Sequence, residues 1–319
     1  MRNIRQRSTA LLAVSALALG ALAGVASTGA SAASKGSDYA PKQSFPMAIT
    51  TPAGTIQLTG APKRIVSLSP TATEILYAIG AGKQVIAVDD DSDYPTQGLP
   101  TTRFNAFNPN VEQLVALHPT LVVVSYNPNG LAATLAAAHI PVMEQDAATN
   151  LRGTLRQITW LGDATGHYER SYDVASADKR EIDKDVAKVP KHHRTLRIYF
   201  ELDPTLYSLT STTYAGQLLK SLGVTNIADP AGSSLNGGYP QLTPELIVGA
   251  NPEMIFLADT VCCHQDYATV AARPGFSILA AVKHHEVIKL NDDVASRWGS
   301  RVSVLMDDLT AAVLKYYKA

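Results

Sequence analysis

The sequence predicts an α/β protein of two lobes, each a mainly parallel sheet with flanking helices, joined by one long helix. Three observations lead there. First, VEQLVALHPTLVVVS, beginning at Val111, and PELIVGANPEMIFLA, beginning at Pro244, repeat one pattern: an early glutamate (Glu112, Glu245), a proline seven residues later (Pro119, Pro252), and then a solid apolar tract. Proline disfavours helix for the residue before it, so His118 and Asn251 mark helix ends, and LVVV and MIFL read as buried strands. Second, strand-like and helix-like runs alternate on both sides of the chain's middle, the pattern of a parallel sheet with helices on its faces. Third, the alternation breaks once, at HYERSYDVASADKREIDKDVAKV, a charged run with a helical period.

Taken in order, residues 1–32 read as a secretory signal: Arg2, Arg5 and Arg7, an apolar run from Ala10 to about Val25, and Ala30-Ser31-Ala32 as a small-x-small cleavage site. A membrane anchor is the alternative, but the run is shorter than the roughly 20 residues a spanning helix needs. Leu22-Ala23-Gly24-Val25 has valine where a lipoprotein signal carries its cysteine, so no lipid attaches there. Residues 33–60 form a polar tether and a small hairpin turning at Pro52-Ala53-Gly54. The N-terminal lobe, 61–165, begins with the strand RIVSL, the turn Ser69-Pro70-Thr71, the helix ATEILYAIG closed by Gly80, and the strand QVIAV. LVVVS, the helix LAAAHI and the strand PVMEQ continue the rhythm.

The linking helix, 166–190, aligns Tyr168, Tyr172, Ala175, Ile182, Val186 and Val189 in one apolar stripe and stops at Pro190. The C-terminal lobe, 191–319, runs strand (RIYFEL), helix (YAGQLLKSLG), strand (MIFLA), strand (HEVIKL) and a closing helix (RVSVLMDDLTAAVLKYY). A chain of 319 residues, 46% hydrophobic and 17% charged, also exceeds what one core usually organises.

The formal net charge of -1 gives no general attraction to nucleic acid. Phosphate-loop, nucleophile-elbow, CxxC and HExxH motifs are absent, and Gly80-Ala81-Gly82 follows a helix and has Val85 where a dinucleotide fingerprint needs its third glycine. Cys262-Cys263-His264 offers soft ligands for zinc or copper(I), or else a disulfide between neighbours that forms a rigid loop corner. Neither cysteine can staple the lobes together. The remaining signal is a set of loop aromatics and arginines that follow or flank strands: Tyr94, Arg103, Phe104, Tyr126, Tyr214, Tyr239, Arg297, Trp298 and Arg301. Such a set suits a bulky ligand that presents rings and anionic groups.

RIVSLSPTATEILYAIGAG, SDYP from Ser92 to Pro95, NVEQLVALHPTLVV, YPQLTPELIVGANPEMI and RPGFSILAAVKHHEVIKL together resemble the solute-binding proteins of ABC importers for cobalamin and for iron-siderophore or haem. The resemblance spans about Pro62 to the C-terminus. It implies two Rossmann-like lobes on a backbone helix, a small-molecule ligand (ferric siderophore, haem or cobalamin) held in the cleft, and glutamates, here Glu112 and Glu245, that dock on a permease dimer. Ser69 joins the ligand-binding set within this motif. Asp91 and Ala106 stand where the cobalamin binders tend to place a tyrosine and a tryptophan. The expectation is an extracytoplasmic, monomeric, non-catalytic binding protein with no cofactor and no nucleic-acid partner; a secreted enzyme handling haem or metal chelates on the same fold is the alternative.

Overall fold

The computed structural model describes residues 44–191, 195–232 and 235–318. The expected signal peptide and most of the tether lie outside the described residues. Strands β1 (Met47–Thr51) and β2 (Gly54–Leu58) pair antiparallel, with Met47 opposite Leu58. The chain then runs β3 (Ile65–Leu68), α1 (Pro70–Ala78), β4 (Val85–Asp89), β5 (Arg103–Phe104), α2 (Val111–Ala116), β6 (Leu121–Val124), α3 (Leu131–Ala137) and β7 (Val142–Glu144). These five strands make a parallel sheet in the order β5-β4-β3-β6-β7. Every residue of β3 and β6 is buried, as expected of central strands covered by helices on both faces.

Helices α4 (Leu151–Thr165) and α5 (Tyr168–Lys188) follow. The turn between them uses Gly166 at φ 79°, and Gly162 lets the two helices touch: a Cβ there would lie 1.9 Å from Ser171 Oγ. The 21 residues of α5 span about 31 Å at the helical rise. α5 is the long helix expected between the lobes, and α4 precedes it. LRGTLRQITWLGDAT forms α4, capped by Asn150, whose side chain accepts the Gly153 N–H. The last helix, α11 (Val302–Lys318), also returns onto α5 through Ser303 Oγ and Asp178 Oδ1 at 2.7 Å. Thus α4 and α11 both pack along α5, the long helix between the lobes.

The second half contains β8 (Arg197–Glu201), α6 (Tyr214–Ser221), β9 (Thr225–Asn226), α7 (Pro244–Ala250), β10 (Met254–Leu257), α8 (Tyr267–Ala271), α9 (Ala280–Lys283), β11 (Val287–Lys289) and α10 (Asp292–Ser296) before α11. Its parallel sheet has the order β11-β10-β8-β9. The architecture is α/β with two lobes, each a parallel sheet with flanking helices.

The repeated sequence pattern is a repeated structure. Asn110 caps α2 and Thr243 caps α7, each side chain accepting a backbone N–H of the first turn. The helices give way to His118 and Asn251, at φ 47° and 46°, one residue before Pro119 and Pro252. Proline excludes the right-handed helical conformation from the preceding residue, and both chains escape through the left-handed one.

Candidate functional site

Strand order locates the site. In the first sheet β3 leads out to β4 and β5, and the chain then returns to place β6 on the other side of β3. A crevice opens beyond the carboxyl ends of the strands where such a reversal occurs. There lies a cleft of about 460 Å³ walled by Pro70, Thr71, Asp90, Asp91, Asp93 and Ser125 from the first lobe and by Asp293, Ser296, Arg297 and Trp298 from the second. It is an interlobe cleft, and its wall is acidic.

Beneath it is a buried ion cluster. Arg297 Nη1 reaches Glu74 Oε1 at 2.8 Å and Asp93 Oδ1 at 2.7 Å, and Nη2 reaches Asp293 Oδ1 at 2.6 Å and the Asp91 carbonyl at 3.0 Å. Arg301 donates to both oxygens of Glu74, Nε to Oε2 at 2.7 Å, and its guanidinium lies 4.3 Å from the centre of the Tyr94 ring. Glu74 sits in the apolar α1 with 2% of its surface exposed, and Arg297 with 8%. Charges so deeply buried persist only when paired. Burial alone would raise Asp93, but the bond and charge of Arg297 outweigh it and hold the carboxyl below its ordinary value. Burial together with the nearby Asp93 pushes Asp293 up against the pull of Arg297. The Trp298 indole N–H donates to Gln157 Oε1 of α4 at 3.0 Å, a further tie across the cleft.

Several of the residues expected at the ligand have other partners in this geometry. Ser69 is buried and caps α1, its hydroxyl accepting the Ala72 N–H at 3.2 Å. Phe104 lies in the first lobe's core and Tyr214, 4% exposed, in the second's, so neither offers surface to a ligand. Arg297 and Arg301 are committed to carboxylates rather than free for an anionic ligand. Arg103 is exposed, but its Nη1 donates to the carbonyls of Asp89, at 3.0 Å, and Ser92. Other members of the set do face solvent: Tyr94, Tyr126 and Tyr239 are 42%, 57% and 37% exposed, and Phe107 packs near Tyr126 with ring centres 6.1 Å apart. Glu112 and Glu245 are exposed in the first turns of α2 and α7. Cys262 and Cys263 are joined to each other by a disulfide.

Sequence reasoning missed Glu74, Asp93, Asp293 and Gln157. A glutamate inside the otherwise apolar ATEILYAIG was the available signal for the first, and the acidic run from Asp89 to Asp93 for the second. It also missed Asp259, fully buried beyond β10 with neither carboxylate oxygen hydrogen-bonded, near Glu201, which pairs with Arg273 through both oxygens at 2.5 and 2.6 Å.

The periplasmic binding protein family model matches residues 65–294, and the chain belongs to that family. Its members are binding proteins, and the class agrees with two α/β lobes around a walled cleft. Among its relatives is YvrC of Bacillus subtilis, an ABC transporter substrate-binding lipoprotein, 29% identical over 261 residues, covering 79% of this chain and 80% of its own length. A vitamin B12-binding protein of Pectobacterium atrosepticum is 28% identical over 258 residues, covering 76% and 85%. Among solved structures, the haem-binding protein RhuT of Roseiflexus superimposes with a TM-score of 0.70 at 24% identity, covering 80% of this chain and 99% of its own. The vitamin B12-binding protein of Vibrio cholerae does so with a TM-score of 0.66 at 23% identity, covering 81% and 99%. At those identities both show the shared fold.

Proposed function

We propose that this chain captures a corrinoid of the cobalamin type in the interlobe cleft, outside the cytoplasm, and delivers it to an ABC permease. The carrying observation is the chemistry of the cleft wall: Asp90, Asp91, Asp93 and Asp293 surround one arginine that is already paired. A haem, with two carboxylates of its own, would meet like charge there. A corrinoid instead presents neutral primary amides around its rim, N–H donors for carboxylates, and flat apolar surface for Trp298 of the cleft wall. The vitamin B12-binding relatives support this choice, and the enzyme alternative is not favoured by a family of binding proteins. Glu112 and Glu245 we assign to the permease.

Titration of tryptophan emission with cyanocobalamin, hemin and a ferric hydroxamate tests the ligand. Cyanocobalamin is expected to bind at least about tenfold more tightly than the others, a difference of about 1.4 kcal/mol. Tighter binding of hemin or of the ferric hydroxamate would overturn the assignment.

A further inference from the structure

Cys262 and Cys263 are bonded to each other across a single peptide unit, in the loop that follows β10. Cys262 is exposed, beside Val261 at 61% exposure. A disulfide stabilises a fold mainly by closing a long loop in the unfolded chain, and this one closes almost none. Its contribution to folding is correspondingly small. What it does fix is local: the bond closes a small ring that holds the Cys262–Cys263 peptide in one conformation.

That conformation is wired to the cleft. The loop is closed at its base by the Gln265 N–H, which donates to the Asp259 carbonyl at 3.2 Å. Along its length, Asp292 Oδ1 accepts the Thr260 N–H at 2.8 Å and Oδ2 accepts the Val261 and Cys262 N–H groups at 3.0 and 2.8 Å. Thr260 Oγ1 donates to the Leu290 carbonyl at 2.7 Å. Asp292 is the first residue of α10, and the residues that follow it, Asp293, Ser296, Arg297 and Trp298, form the second lobe's share of the cleft wall. The Cys262 amide is therefore one side chain away from the helix that carries that wall.

We propose that Cys262–Cys263 is a thiol–disulfide exchange site, reduced by a dithiol, whose redox state sets the position of α10 and so of Trp298 and Arg297 in the cleft. A thiolate of the dithiol attacks the exposed Cys262 sulfur, forming a mixed disulfide, and Cys263 leaves as a thiolate that takes a proton. The second thiolate of the dithiol then attacks its own sulfur in the mixed disulfide, and Cys262 leaves and is protonated. Two electrons and two protons pass to the protein, and the dithiol becomes a disulfide. With the ring open, the Cys262–Cys263 peptide is free to turn, and the loop whose Thr260, Val261 and Cys262 N–H groups bond Asp292 is less firmly fixed at that end.

The test uses the full chain carrying Trp160→Phe, which leaves Trp298 as its single tryptophan, and needs no ligand, so its outcome is independent of what the cleft holds. Dithiothreitol is expected to expose two thiols to iodoacetamide, read by intact mass, and to shift Trp298 emission; oxidised dithiothreitol should restore both. Cys262→Ser with Cys263→Ser should show the reduced-state emission and no response to dithiothreitol, and reduced, alkylated protein with the original cysteines provides the same comparison without those substitutions. Asp292→Asn should blunt the shift. A disulfide that resists dithiothreitol in the folded protein, or thiols that appear with Trp298 emission unchanged, would overturn the proposal.

Discussion

Glu74 joins the two lobes beneath the cleft. It lies in an apolar helix of the first lobe, yet its carboxylate receives guanidinium groups from two arginines of the second. Breaking a buried pair by removing one partner typically costs about 3–5 kcal/mol, because the surviving charge stays behind in a poor solvent. Glu74→Gln leaves Arg297 with Asp93 and Asp293, both nearer to water, and Arg301 with the Tyr94 ring and the nearby charge of Asp293. The expected loss is about 3 kcal/mol, seen as a lower urea midpoint. A midpoint within error of the parent's would show that the cluster adds little to stability.

At the scale of elements, α2 and α7 are short helices built alike, each with a polar cap, an acid in the second helical position, and a left-handed residue before proline. In a right-handed crossover the helix runs antiparallel to its strands, so both helices start at the strand ends that face the cleft side. An acid in a first turn complements the helix dipole by only about 0.3–1 kcal/mol, too little to account for two matched exposed glutamates in two lobes. Replacing both Glu112 and Glu245 with alanine is expected to leave ligand affinity and thermal stability nearly unchanged while uptake through the permease collapses. Wild-type uptake by the double variant would remove the docking role.

These two helices were also the most legible part of the sequence, because cap, acid and proline are local signals that tertiary packing had only to accept. The strands were legible for a related reason: LVVV and MIFL are apolar throughout, and IVSL but for Ser67, as buried parallel strands tend to be. α4 was hidden by its glycines and threonines, which weaken the helical pattern, although Gly162 serves close packing on α5. The site was least legible. Phe104 and Arg297 look from sequence like ligand contacts, and only the fold reveals that one fills a core and the other answers a glutamate more than two hundred residues away.

For the molecule as a whole, buried acids set the response to pH. Burial pushes Asp89 and Asp178 up to about 6, and Asp259, buried and also repelled by Glu201, up to about 7 against the pull of Arg273. A carboxyl with a raised pKa binds its proton more tightly in the folded chain than in the unfolded one, whose value is near 4. Stability from these groups is therefore complete at about pH 4 and is lost as pH rises through 6 and 7. Thermal unfolding followed from about pH 5 to about pH 8 should show a falling midpoint. Asp259→Asn, which removes the charge that Tyr199, Glu201, Arg273 and Asp292 surround, should flatten the fall and gain on the order of 1 kcal/mol at the alkaline end. A midpoint that rises with pH would contradict the sign.

The bonds between Glu74 and Arg301 join positions 227 residues apart. Contacts of such long range cannot form until nearly the whole chain is available, because the cost of closing the intervening loop comes before any return. While the chain emerges from one end, its first lobe carries an acid with no counter-ion, and α5 waits for α11, which is made last. The fastening of the two halves is thus deferred until the second lobe's share of the cluster has been made.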